Sequence, residues 1–428
     1  MLVSQVSALA VTSALTVFLA RELGPSTFGV LAAFQGLALL VTVFVDAGIS
    51  TYLLRELSEL WAGGDRASKA RGRQLVSSAF GATTTTGAVL IAASLIFGGT
   101  TLRSLSLTGA LSGLVGYTAL LACADGLEVV YRAQRRLRHL ATAIVLEKSI
   151  LVVLVGAVIL THAGILAVGV AYLLAGCGRI AYDLVTTRRL GCGVLPPTGP
   201  RKSLRILRAA LPFGVGSTAP TAMVRFDATL LGLFSTTAAG FYAVGDRTLT
   251  ALLVISSTAA TTLYPVLARE TSRRRKAVRA SMLMFGGGTI VAAGMIALVP
   301  HALPAVFGQQ FTSAVRPVQL MVLAVPFIYA TSMLIAGLNL AGRERLVVLV
   351  MLPCTVAGTG FVVLGELLFG IRAAAAGYAL RQVLLFLALG VATRIARPAH
   401  RRQPDRPPAG GEAVLQGRRA GRLAGRGR

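Results

Sequence analysis

Twelve ionisable residues of this chain lie within long apolar stretches: Asp46, Asp125, Glu128, Glu147, Lys148, Arg179, Asp183, Arg225, Asp227, Asp246, Arg247 and Arg381. A charge surrounded by hydrocarbon is costly, so such groups either pair with one another or line a wet cavity and act there. The cations suit a phosphate-bearing ligand, because guanidinium and ammonium donors make charge-assisted bonds to phosphate oxygens. The carboxylates suit ion pairing or the coupling of a transported cation.

Spacing sorts some of these groups. Arg179 and Asp183 are four residues apart, so one helix brings them together as a local pair. Arg225 and Asp227 are two apart, and a regular helix points them in different directions, so they cannot share one pairing site. Depth sorts others. The turn near Thr237 has Asp227 ten residues before it and Arg247 ten after it, which places both about 15 Å below the surface. Arg225 and Asp246 lie at nearly that level. Around the turn near Arg136, Asp125, Glu147 and Lys148 are matched in the same way. Two interhelical pairs are therefore expected, Asp227–Arg247 and Asp125–Lys148. Surplus charges are expected to face a cavity. Arg225 and Arg247 are the first candidates for binding an anionic substrate, with Asp227, Lys148 and Arg381 beside them. Asp46, Asp125, Glu147 and Asp246 are candidates for pairing or ion coupling.

The elements that must carry these groups are membrane helices. The 428 residues are 55% hydrophobic and only 14% charged, with a mean hydropathy of +0.74. A soluble surface needs roughly a quarter charged residues. Apolar blocks reach the roughly 20 residues that cross a bilayer. Spans are predicted at 2–20, 28–50, 75–97, 105–127, 141–160, 164–183, 206–234, 239–266, 280–299, 315–338, 346–367 and 372–393, which makes an all-α integral membrane protein of about twelve transmembrane helices. No cleavable signal peptide is expected, since the first block begins at Leu2 without a basic region before it.

The net charge of +26 follows the topology. About 32 of the 42 Lys and Arg fall in alternate loops (51–74, 128–140, 184–205, 269–279) and the tail, whereas 161–163, 235–238 and 300–314 carry none. Both termini are therefore expected in the cytoplasm. No basic stripe with interleaved aromatics points to nucleic acid. The four cysteines and four histidines are scattered, and neither a metal site nor a disulfide framework is indicated.

The Pro-rich stretch 191–205 divides the spans six and six. It reads as a cytoplasmic linker between an N-terminal lobe (1–190) and a C-terminal lobe (206–393), with a disordered basic tail at 394–428. An internal repeat supports the division. Leu23-Gly24-Pro25-Ser26-Thr27-Phe28-Gly29 after the first span matches Ser235-Thr236-Thr237-Ala238-Ala239-Gly240 after the seventh. Tyr131-Arg132-Ala133-Gln134 matches Asn339-Leu340-Ala341-Gly342. The offsets are about 211 and about 208 residues, so the halves are parallel repeats. Pro212, Pro220, Pro265, Pro326 and Pro353 are expected to kink spans.

No P-loop, GxSxG or HExxH motif occurs, and no loop is large enough for a catalytic domain. A transporter is the better reading than an enzyme, with no cofactor.

The stretch Ala20-Arg21-Glu22-Leu23-Gly24-Pro25-Ser26-Thr27-Phe28-Gly29, continuing to Asp46-Ala47-Gly48, resembles the N-terminal signature of Wzx-type polysaccharide flippases of the multidrug/oligosaccharidyl-lipid/polysaccharide superfamily. Pro212-Phe213 through Arg225-Phe226-Asp227 resembles that family's seventh helix. Ala239-Gly240-Phe241-Tyr242 to Tyr264-Pro265 resembles its eighth, and Phe307-Gly308-Gln309-Gln310-Phe311 an outer loop. The resemblance implies a MATE-like fold of two six-helix lobes working by alternating access. It also implies a polyprenyl-pyrophosphate-linked glycan as substrate, membrane lipids around it, and glycosyltransferases and a polymerase as pathway partners. Several family members carry two further spans. The alternatives are a flippase for a lipid-linked peptidoglycan precursor and a cation-coupled multidrug antiporter. The absence of any acid in the first span disfavours the antiporter.

Overall fold

Each apolar block forms a helix because its backbone has no other way to satisfy its N–H and C=O groups in hydrocarbon. The computed structural model describes residues 2–46, 48–62, 66–102, 104–134, 136–192, 204–210, 226–268, 273–341 and 343–395. In chain order the helices are α1 (Leu2–Asp46), α2 (Ile49–Ala62), α3 (Arg66–Phe97), α4 (Leu105–Ala133), α5 (Leu137–Leu160), α6 (Gly164–Arg189), α7 (204–210), α8 (Asp227–Phe234), α9 (Thr236–Ala268), α10 (Arg273–Phe307), α11 (Val315–Val322), α12 (Val325–Leu340), α13 (Glu344–Phe369) and α14 (Ile371–Ile395).

Among the described residues, nine stretches are long and apolar enough to cross a membrane. The first, Val11–Ser58, has 48 residues. As one helix it would be about 72 Å long, more than twice the hydrocarbon thickness. Gly24, at φ 70° and ψ 169°, breaks it into two spans, a conformation that a residue with Cβ rarely adopts. With that division and the 33-residue α9, the count reaches eleven. The twelfth predicted span, 206–234, is described only at 204–210 and in α8; its 211–225 portion, with Pro212 and Pro220, lies outside the described residues. So do most of the expected linker and the tail beyond Ile395.

Two sequence expectations are corrected and a third is refined. The basic segment 51–74 is largely helical, because Ile49, Leu53 and Leu57 recur at four-residue spacing and bury one face of α2 against Val76, Leu127 and Val130. The expected outer loop at 300–314 is mostly helix: α10 runs on to Phe307 through Pro300 and Pro304, and a 3₁₀ turn covers Gln309–Ala314. The span predicted at 315–338 lies within one stretch, Gln309–Asn339, long and apolar enough to cross a membrane, and it is divided into α11 and α12 just before Pro326, the break its proline predicts.

Many large apolar side chains point outward, among them Ile96, Leu160, Leu283, Ile290 and Phe369. On a soluble protein they would form aggregation-prone patches; on this one they face lipid. With lipid as solvent, helix association depends on close packing of small residues. In α4 and α6, Gly113 and Gly169 meet backbone to backbone: a Cβ on Gly113 would fall 2.5 Å from the Gly169 carbonyl oxygen.

Helices α1–α6 form one lobe and α8–α14 the other. They meet at one end of the molecule, the end that carries Gly24. There α1 crosses α9 so closely that a Cβ on Gly29 would lie 1.7 Å from the Thr236 carbonyl oxygen, and one on Gly240 would lie 2.1 Å from that of Pro25. The Ser26 and Thr236 hydroxyls are 3.0 Å apart, and Thr229 donates to the Ala33 carbonyl at 2.9 Å. Gln310 donates to the Arg21 carbonyl at 2.7 Å, and Arg21 to that of Ala305 at 2.8 Å. Phe311 meets Phe28 and Phe241 edge-on. His162 in the α5–α6 turn lies 2.5 Å from Glu22, so that turn is at the same end.

One hydrophobic cluster, holding Phe28, Leu31, Tyr242, Phe311 and Val318, runs through both lobes at this end. Toward the opposite end, where the basic segments lie, the buried apolar residues divide by lobe. Leu53, Leu57 and Leu127 belong to one cluster and Leu334, Leu338 and Leu389 to another. At the Gly24 end the lobes are in close contact, main chain against main chain.

Candidate functional site: a polar cleft between two buried charge networks

Beside the crossing, α1, α8 and α9 line a small cleft of about 30 Å³, partly open to the outside, whose walls include Gln35, Leu39, Ala228, Tyr242, Asp246 and Arg247. Gln35 lies six residues along α1 from Gly29, roughly 9 Å from the crossing. Arg247 donates from Nη2 to Gln35 Oε1 at 2.9 Å, a bond from one lobe to the other. Gln35 Nε2 donates to the Tyr172 hydroxyl at 3.3 Å, and Tyr172 packs edge-on against Tyr117. The cleft thus presents a half-buried guanidinium beside a carboxylate, with a neutral amide opposite.

On the C-terminal side of the cleft, Tyr242 leads to a compact network. Asp227 is fully buried at the start of α8. Its Oδ2 accepts from the Tyr242 hydroxyl at 2.6 Å and from Arg381 Nη1 at 2.7 Å; its Oδ1 accepts from Thr359 at 2.7 Å. The Arg381 guanidinium lies 4.6 Å from the centre of the Tyr378 ring, a cation–π contact. The stem of Arg381 runs over Gly358, where a Cβ would come within 2.2 Å of it. Arg381 Nε and Nη2 find no acceptor among the described residues.

The N-terminal lobe holds a larger network, centred on Arg179. That guanidinium bonds Asp183 at 2.9 Å, makes a very short contact with Glu128, and lies 3.7 Å from Glu147. Glu147 also accepts from the Tyr117 hydroxyl at 2.6 Å and from Lys148 at 2.7 Å. Tyr131 donates to Asp183 at 3.1 Å, and Arg132 to Glu128 at 3.1 Å. Three carboxylates and three cations are held among α4, α5 and α6.

The predicted site residues fall as follows. Arg247 and Asp246 line the cleft. Asp227 and Arg381 pair with each other, which replaces the expected Asp227–Arg247 pair: the two residues of that pair share a level, but α14 brings a guanidinium to the other side of Asp227. Lys148 pairs with Glu147 rather than Asp125, because the Tyr117 hydroxyl, 3.4 Å from Lys148, gathers both. Asp125 is exposed on α4 and makes no ion pair among the described residues. Asp46 caps α2, accepting from the Gly48 and Ser50 backbone N–H groups at 3.2 and 3.1 Å and from the Ser50 hydroxyl at 2.6 Å. Arg225 lies outside the described residues. The Arg179–Asp183 spacing gives the pair it predicts. Sequence spacing gave no sign of Gln35, Tyr172, Tyr242, Thr359 or Gly358. No described cluster of His, Cys, Asp and Glu is arranged to hold a metal ion.

The comparisons with known proteins agree with this architecture. No curated protein matches the sequence. Among solved structures, the inward-facing conformation of a multidrug resistance MATE family transporter of the MOP superfamily superposes with a TM-score of 0.71 at 13% identity, covering 90% of this chain and 93% of that one. The lipid II flippase MurJ in an inward closed conformation gives 0.69 at 11% identity, over 92% and 87%. The eukaryotic MATE transporter AtDTX14 gives 0.64 at 15%, over 91% and 92%. At these identities the likeness concerns the fold. The sequence profile described as polysaccharide biosynthesis protein matches residues 3–271. The chain has a MATE-like, multi-pass helical membrane fold, and it belongs to the polysaccharide biosynthesis protein family.

Proposed function

We propose that this protein moves a polyprenyl-pyrophosphate-linked oligosaccharide from the inner to the outer leaflet of a bacterial cytoplasmic membrane, for cell-surface polysaccharide. The observation that carries the reading is Arg247, half-buried on the wall of a small cleft beside the Gly29–Gly240 crossing of the two lobes. A guanidinium in such a place suits a pyrophosphate.

The positive-inside rule assigns the basic end to the cytoplasm, with both termini there, so the sealed end faces outward. Alternating access then requires the Gly29–Gly240 crossing to part. Glycosyltransferases would supply the substrate and a polymerase consume it. Arg247, on the cleft wall, takes the binding role in this reading, and Arg225 remains the other candidate from the sequence.

The flippase of a lipid-linked peptidoglycan precursor is the second reading. The MurJ likeness favours it at the level of the fold, and the pyrophosphate chemistry is the same. Asp246 beside Arg247 gives the cation antiporter its one foothold.

Mass spectrometry of polyprenyl-linked glycans in a deletion strain, with leaflet assigned by an impermeant probe, tests the proposal. A lipid-linked repeat unit trapped in the inner leaflet is the expected result, and it names the glycan. An unchanged lipid-linked pool with altered sensitivity to cationic drugs overturns it in favour of the antiporter.

A further inference from the structure

We propose that the outward end of the N-terminal lobe binds a phospholipid with a primary-ammonium headgroup, its ammonium on the Glu22 carboxylate and its chain in the apolar pocket beneath. The inference does not depend on the substrate assigned to the cleft.

The pocket lies between α1 and the α5–α6 hairpin and has a volume of about 160 Å³. Leu19 and Leu23 of α1, Val158 and Ile159 of α5 and Val168 of α6 make its walls apolar, while Glu22 and His162 supply its polar side. Glu22 is three residues beyond Leu19, and His162 four beyond Val158, so the polar side lies about 5 Å nearer the membrane surface than the walls. Apolar cavities hold water poorly and take apolar ligands. Phe18 and Leu160, each next in sequence to a wall residue, are 58% and 83% exposed. Side chains of that kind face lipid, so a lipid chain is the neighbour at hand.

The headgroup follows from Glu22. Its Oε1 lies 2.5 Å from His162 Nδ1, so the imidazole donates to one carboxylate oxygen and leaves the other for a second donor. The ring is itself held by the turn: His162 has φ 49°, and the His162 and Ala163 N–H groups bond the Ile159 and Val158 carbonyls at 3.2 Å each. Arg21, the adjacent cation, is turned away to the Ala305 carbonyl. Glu22 makes no pair with Lys or Arg among the described residues, and its side chain is 37% exposed. A primary ammonium offers N–H donors for a charge-assisted bond to such a carboxylate. A trimethylated ammonium offers none, and an uncharged glycerol head on a phosphate brings only repulsion.

The lipid would hold the tip of α1 from a second side. Arg21 and its carbonyl already bind the C-terminal lobe through Ala305 and Gln310; the lipid fills the gap toward α5 and α6. Its occupancy favours the state in which the Gly29–Gly240 crossing is closed. Glu22 touches the ligand, and His162 positions Glu22.

The test is native mass spectrometry of lipids retained by the full-length protein released from nanodiscs of phosphatidylethanolamine and phosphatidylcholine, in equal amounts and with identical chains. The native protein should retain the ethanolamine lipid about threefold to tenfold over the choline lipid. Glu22→Gln should bring that ratio to within about twofold of unity, and Glu22→Ala carries the same test should the glutamine variant aggregate. Val158→Phe, which fills the pocket, should lower the total lipid retained. Equal retention of the two lipids by the native protein overturns the proposal, and so does a preference that survives the loss of the Glu22 carboxylate. An unchanged total in Val158→Phe overturns the placement of the chain.

Discussion

The two lobes bury charge in opposite styles. In the N-terminal lobe Arg179 is shared among Glu128, Glu147 and Asp183, and Lys148 and Arg132 add further positive charge at the edges. In the C-terminal lobe one carboxylate, Asp227, meets one guanidinium, Arg381, with hydroxyls from Tyr242 and Thr359 completing the set. The first arrangement is redundant, so a lost member leaves others to neutralise what remains. The second has a single ion on each side. It also touches the cleft through Tyr242, whereas the first is separated from the cleft by the Tyr117–Tyr172 stack. The N-terminal network ties α4, α5 and α6 together, and the C-terminal one ties α8, α9, α13 and α14 through a single carboxylate.

This contrast can be broken most sharply at Arg381. Arg381→Met leaves Asp227 buried without its counter-ion, and thermal unfolding in detergent should show a loss of about 3–5 kcal/mol. Removing both charges tests the same point from the other direction. Asp227→Asn with Arg381→Met should recover most of that loss, because no lone charge then remains; failure to recover would show that shape rather than charge holds the pair. A smaller effect is expected in the redundant network. Glu147→Gln should cost about 1–3 kcal/mol, since Arg179 keeps Glu128 and Asp183. A loss as large as that of Arg381→Met would remove the distinction between the lobes. The smallest effect belongs to Arg132, whose side chain is 46% exposed: Arg132→Gln should shift stability by less than about 1 kcal/mol, and less still at high salt.

Much of the fold was legible because a bilayer demands long apolar blocks and tolerates few alternatives. The repeat was legible too. Gly29 and Gly240, matched at an offset of about 211, face each other in the crossing, as a pseudo-twofold requires. The site was legible only in part. Counting residues from a turn gives the depth of a side chain but not its direction around the helix. Asp227 and Arg247 were therefore matched by depth, yet Asp227 takes a different partner. The true partner, Arg381, is 154 positions away. Gln35 left no mark because a neutral amide in an apolar helix is not costly enough to stand out. Gly358 left none because its use, making room for the Arg381 stem, exists only once α13 and α14 pack. Arg179–Asp183 was readable because both residues sit on one helix at four-residue spacing.

The seal at the Gly24 end is made chiefly of backbone, with glycine against carbonyl on both sides and the Phe311 ring packed beside it. Its consequence is electrical. A membrane under tension from its own potential stores about 2.3 kcal/mol per elementary charge for each 100 mV. Any carrier large enough to pass a glycan is also a standing invitation to protons and sodium. Side chains that swing on their rotamers leave intermittent gaps through which water can thread a proton; two main chains in direct contact leave none. In the proposed transport cycle the crossing therefore acts as an insulator, closing the path of ions at this end of the molecule.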